Sequence, residues 1–130
     1  MNDASAAPTQ TPASDDLFED VHEQKAVRLA KRERLIAGRA DAAGGAFPVS
    51  VPVTHTIPQL RAEYGALEPD TQTGVVVAVA GRVVFSRNTG KLCFATLQAG
   101  DGSRIQAMVS LAAVGEDSLA DWKEFVDLGD

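Results

Sequence analysis

Few residues in this chain could do covalent or metal chemistry. Its two histidines, His22 and His55, stand far apart, and neither has cysteines or carboxylates around it at ligand spacing. A structural zinc centre needs four converging donors, so no metal site is expected. His55 directly precedes Thr56, a helix-capping residue type, and reads as a loop residue. Cys93 is the single cysteine, which excludes an internal disulfide and favours a reducing compartment. It falls among apolar positions of a strand, the setting of a buried thiol rather than a nucleophile. Glu116, Asp117 and Asp121 suit the start of a helix. Gly90-Lys91 lacks the following Ser or Thr and the strand–loop–helix setting of a phosphate cradle. No catalytic constellation remains, and the chemistry left is that of a binding surface.

Strand alternation gives that surface. In Lys91–Gln98, Cys93, Ala95 and Leu97 point one way and Phe94, Thr96 and Gln98 the other. In Arg104–Val109, Ile105, Ala107 and Val109 share one face, and Arg104, Gln106 and Met108 the opposite one. The small apolar sets suit an interior. Phe94 is then an aromatic on an otherwise polar face, beside Gln106 in a regular register. A ring, an amide and a guanidinium together can stack on an unpaired base and read its edge. The alternative is that Phe94 is covered by a helix or loop; on pattern alone the two readings are even. Gln106 by itself would more often be a surface glutamine.

Charge distribution points the same way. The net charge is −6, yet Lys25, Arg28, Lys31, Arg32, Arg34 and Arg39 gather against the single acid Glu33. Arg82, Arg87, Lys91 and Arg104 gather against Asp101. Local field, not net charge, decides what a face attracts, although such runs are more often plain solvated surface.

The elements that position these residues follow from periodicity and punctuation. Residues 1–16 hold almost no large apolar side chain and are expected to form a disordered tail. Residues 17–38 carry strong helix formers with acids early and bases late, capped by Asp15 or Asp16 and stopped at Gly38. Residues 39–53, with Gly44-Gly45 and two prolines, read as a linker. Thr56-Ile57-Pro58-Gln59 fits a capping box for a short helix ending at Gly65. A strand is expected over Val75–Phe85, a turn at Asn88-Thr89-Gly90, a second strand, a turn at Gly100-Asp101-Gly102, and a third strand. Ser118 to Asp121 fits a capping box opening a helix with Leu119, Trp122 and Phe125 on one side.

A meander followed by a helix is the order of an OB-type five-stranded Greek-key barrel, which binds oligonucleotides on strands two and three. The expected fold is therefore mainly β with helices: an incomplete barrel over 54–130, three strands plus a helix, preceded by an N-terminal helix. The missing strands imply a truncated or excerpted chain. Its unpaired ladder edges predict partial disorder or association of the isolated polypeptide. The N-terminus lacks a secretory h-region, and the longest apolar run is too short for a bilayer, so no membrane role and a cytoplasmic location are expected.

The ordered set Ala80-Gly81-Arg82, Gly90-Lys91, Phe94-Ala95-Thr96-Leu97-Gln98 and Arg104-Ile105-Gln106 resembles the N-terminal domain of class II lysyl-tRNA synthetases. Arg32-Glu33-Arg34-Leu35, Phe47-Pro48, His55-Thr56 and Trp122 with Asp127-Leu128-Gly129-Asp130 extend the resemblance over Val27–Asp130. It implies that Phe94 stacks on the central anticodon uridine, Arg87 contacts anticodon bases and Gln106 reads a uridine edge. It implies that Lys25, Arg28, Lys31 and Arg32 meet the backbone of the anticodon stem. A homodimeric enzyme is implied that uses ATP and magnesium to form lysyl-adenylate and charge tRNA, with its catalytic motifs beyond Asp130 and no cofactor held by this chain. Two other classes fit the residues: a general single-stranded nucleic-acid module, and a non-catalytic assembly fragment.

Overall fold

The computed structural model describes residues 14–130, with side chains from residue 22 onward. The chain divides into one compact unit ending at Ala46 and a second over Phe47–Asp130. The expected disordered tail up to residue 13 lies outside the described residues.

In the first unit, helix α1 spans Ser14–Gly38. It ends where Gly38 was expected to end it. It starts earlier than residue 17, so Asp15 and Asp16 are helical rather than flanking caps. Acids are favoured within a first turn as well as before it, because the free N–H groups there carry positive partial charge. Val27, Leu29 and Ile36 of α1 are all exposed.

In the second unit, helix α2 spans Ile57–Tyr64 and carries the expected capping box. The Gln59 N–H donates to Thr56 Oγ1 at 3.3 Å, and the Thr56 N–H donates to Gln59 Oε1 at 2.8 Å. Pro58 costs nothing in this first turn, where its missing N–H would have had no helical partner. Gly65 caps the helix with an ordinary φ of −67°. Glycine is required there by space, since a Cβ would lie 2.3 Å from the Arg61 carbonyl oxygen. Ile57 and Leu60 are buried.

Three strands follow: β1, Arg82–Asn88; β2, Leu92–Gln98; β3, Arg104–Ser110. They form one antiparallel sheet in the order β1-β2-β3. The expected first strand was Val75–Phe85. Its first seven residues lie outside the ladder, because β2 ends at Gln98, opposite Arg82. Among them, Ala78 is held by Thr54, whose N–H donates to the Ala78 carbonyl and whose hydroxyl oxygen accepts from the Ala78 N–H, both at 2.9 Å.

Both hairpins close where the turn residues predict. Gly90 and Gly102 adopt φ of 74° and 86°, the left-handed region that L side chains avoid. The Asp101 carboxylate accepts from the Ser103 N–H at 3.0 Å and from its hydroxyl at 2.5 Å. These bonds favour the ionised form and hold the Asp101 carboxyl below its usual range.

Helices α3, Leu111–Val114, and α4, Glu116–Phe125, close the unit. The expected cap at Ser118 is not used. Gly115, at φ 83°, breaks the chain between the helices, and α4 starts at once, placing Ser118 inside it. Leu119 is buried, with Trp122 and Phe125 half-buried on the same side. The Lys123 ammonium donates to the Gly90 carbonyl, tying α4 to the first hairpin.

The inner face of the sheet and the helices share one small core: Ile57, Leu60, Val83, Cys93, Ala95 and Leu119. Each large aliphatic among them contributes about 1.5–3 kcal/mol by leaving water. The sheet edges are partly satisfied. The Val83 N–H donates to the Asp130 carbonyl at 2.7 Å and its carbonyl accepts from the Gly129 N–H at 2.8 Å. The Arg61 guanidinium donates twice to the Arg104 carbonyl, at 2.7 and 3.2 Å. The result is a mixed α/β arrangement, an open three-stranded meander consistent with an incomplete barrel.

Candidate nucleic-acid interface

The register of β2 decides where Phe94 stands. Cys93 and Ala95, its chain neighbours, are both 0% exposed. Side chains alternate along a strand, so Phe94 projects from the opposite, outer face, where it is half-buried. Its cross-strand partners are Arg87 on β1 and Met108 on β3. The Arg87 guanidinium lies 5.3 Å from the centre of the Phe94 ring, within range of cation–π attraction. Phe94 and Arg87 are therefore brought together.

Gln106 does not lie beside Phe94 as expected. It pairs with Thr96, and the exposed Met108 takes the place opposite the ring. The full pairing of β2 with β3, Leu92 with Ser110 through Gln98 with Arg104, sets this register. Gln106 remains on the same face as a diagonal neighbour of the ring, about 7–8 Å away, within reach of anything stacked there. Arg104 donates from Nε to the Gln98 amide oxygen at 2.7 Å, which orients a guanidinium at the end of the face.

The outer face carries Arg82, Arg87 and Arg104 and no acid among its paired positions. The register makes this a three-strand surface with Arg82 and Arg104 on either side of Gln98 at one end and Arg87 beside the Phe94 ring. Beyond Gln106 lies an open groove of about 450 Å³ between α2 and β3, lined by Leu60, Arg61, Tyr64, Gly65, Ile105 and Gln106. The Tyr64 phenol is pushed up from its ordinary value, chiefly by desolvation and then by Glu63, and stays neutral. A second open groove holds Thr54, His55, Gln59 and Glu63, with His55 Nε2 3.4 Å from a Glu63 carboxylate oxygen.

Lys25, Arg28, Lys31 and Arg32 all lie on α1, in the other compact unit. At about 100° per residue they fall within roughly one third of the helix circumference, one basic stripe.

Sequence reasoning missed Phe85. It stands opposite Thr96, on the same outer face as Phe94, and is 55% exposed. Simple alternation from the buried Val83 would have turned it inward. The register shifts between Val83 and Phe85, from Leu97 to Thr96, so two residues of β1 oppose one step of β2. Val84 is the extra residue of a β-bulge. The sequence gives no sign of it, because Val83, Val84 and Phe85 are apolar on either parity.

No family model matches the chain. It is 57% identical over 118 residues to a lysine–tRNA ligase of Mycolicibacterium gilvum, covering 90% of the chain and 23% of that relative. This chain is homologous to the lysine–tRNA ligases. A ligase of Kineococcus radiotolerans is 57% identical over 116 residues, 89% of the chain and 22% of the relative. One of Cupriavidus metallidurans is 38% identical over 132 residues, all of the chain and 24% of the relative. The chain thus spans about a quarter of the length of these lysine–tRNA ligases. Among the described residues, no helix is long and apolar enough to cross a membrane.

Proposed function

We propose that this chain holds the anticodon stem-loop of a tRNA on the outer face of its sheet, as the anticodon-binding part of a cytoplasmic lysine–tRNA ligase. The observation that carries this reading is Phe94, turned outward between two fully buried neighbours with the Arg87 guanidinium 5.3 Å from its ring centre. Phe94 stacks on an unpaired base, Arg87 contacts the same base or its phosphate, and Gln106 reads a neighbouring edge. Base–aromatic stacking on such a surface is worth about 1–3 kcal/mol. Lys25, Arg28, Lys31 and Arg32 on α1 meet the backbone of the stem. In OB barrels such a meander forms the oligonucleotide-binding face, and the homology to lysine–tRNA ligases supports a tRNA as the RNA.

The whole ligase would attach lysine to tRNA as a homodimer, using ATP and magnesium. No residue of this chain is assigned to either group in this reading. Among the described residues no three His, Cys, Asp or Glu side chains gather. Gly90-Lys91 closes a β-hairpin rather than opening a helix. The chain's own part is to bind and orient the anticodon.

Competition between a lysine anticodon stem-loop and one with a scrambled loop of equal length tests the reading. Preference for the lysine loop is expected. Equal competition would instead indicate a general single-strand binder.

A further inference from the structure

We propose that Phe85 is a second stacking platform, holding the nucleobase next to the one on Phe94. The inference rests on the RNA-binding reading above and extends it from one base to two. Its observation is separate: the bulge at Val84 that turns Phe85 outward. With regular pairing Phe85 would face the core beside Val83, where burial is favourable. The extra residue instead leaves the ring 55% exposed on the outer face. Bulges re-aim side chains next to binding sites.

Single exposed apolar residues are common and need no function; the surroundings distinguish this one. Phe85 pairs with Thr96 and Phe94 pairs with Arg87, so the two rings are diagonal neighbours. That places them about 7–8 Å apart on one surface. This span suits consecutive bases of an extended strand, whose unstacked faces can each meet an aromatic side chain. Arg87 lies on β1 two residues from Phe85 and against Phe94, so one guanidinium sits where the linking phosphate would pass. The occupant is thus a nucleotide adjacent to the Phe94 nucleotide in the same loop.

The test places 2-aminopurine at each loop position of the lysine anticodon stem-loop in turn and reads its fluorescence with the chain bound. Two adjacent positions are expected to change, the Phe94→Ala variant restoring the signal at one and Phe85→Ala at the other. Each variant is expected to weaken binding about 5-fold or more. Phe85→Leu keeps apolar bulk without an aromatic face, so it should match Phe85→Ala in fluorescence while retaining the wild-type melting temperature. If Phe85 variants leave every position and the affinity unchanged while Phe94→Ala does not, the second platform is wrong and the RNA reading stands. Restoration of one shared position by both variants also overturns it. If neither ring matters, the RNA-binding reading itself fails.

Discussion

Cutting the Phe94 ring back to alanine removes the flat surface on which the proposed interface depends. The ring lies on the outer face, so truncation opens no core cavity, and the folding cost should stay below the roughly 3–5 kcal/mol of a core phenylalanine. The binding cost should be about 1–3 kcal/mol, a rise in Kd of about 5- to 150-fold. Arg87 refines the estimate. Its guanidinium is already drawn to the ring, worth about 0.5–1 kcal/mol at an exposed site. A base arriving on that same side must displace it, which would bring the net effect toward the lower end. Arg87→Ala separates the two terms: the ring is kept, the salt dependence of binding falls by about one phosphate contact, and the loss is smaller than for Phe94→Ala. The assay is fluorescence anisotropy with a labelled lysine anticodon stem-loop at several salt concentrations, with thermal unfolding of each variant alongside. Unchanged affinity of a folded Phe94→Ala chain would refute the stacking argument.

Other outcomes follow from the same geometry. Thr56→Ala deletes one half of the capping box and should cost about 0.5–2 kcal/mol in urea unfolding, a large share for so small a core. Gly81→Ala would set a Cβ 3.1 Å from Leu97 Cβ and 3.3 Å from both Gln98 N and O. Overpacking of this kind costs about 1–3 kcal/mol, so a clearly lowered unfolding midpoint is expected. The Asp101 carboxyl is held below its usual range in the folded chain, so its stabilisation is present above the ordinary carboxylate pKa and is lost as pH falls through the lowered one. Wild type and Asp101→Ala should therefore differ at neutral pH and converge in acid, as read by urea unfolding across pH. Replacing Lys25, Arg28, Lys31 and Arg32 together should flatten the salt dependence of RNA binding more than it alters the preference for the lysine loop.

Much of the frame is legible in the residues because local chemistry fixes it. Thr56 and Gln59 are hydrogen-bonding partners three positions apart, and Gly90 and Gly102 occupy backbone regions that other residues avoid. The alternation Cys93-Phe94-Ala95 needs only the strand period to place the ring outward. What sequence cannot supply is register. A bulge among Val83, Val84 and Phe85 changes no apolar pattern, yet it reverses the direction of a phenylalanine. Whether Gln106 or Met108 stands opposite Phe94 depends on how the Gly100–Gly102 turn closes, and one pair of residues separates the two answers. The start of β1 depends on where its partner ends. Val75 and Val76 have the composition of a strand, but β2 stops before reaching them, and they remain exposed. The start of α4 differs from the expected one because of a glycine. Ser118 is a good capping residue, but Gly115 had already turned the chain.

The most direct measurement is an NMR titration of the chain, carrying isotope-labelled phenylalanine, with the lysine anticodon stem-loop. Ring protons of Phe94 are expected to move strongly upfield under the stacked base, and less with a scrambled loop. A Phe94 ring whose resonances stay in place while the RNA saturates the chain would contradict the claim that this face holds an unpaired base.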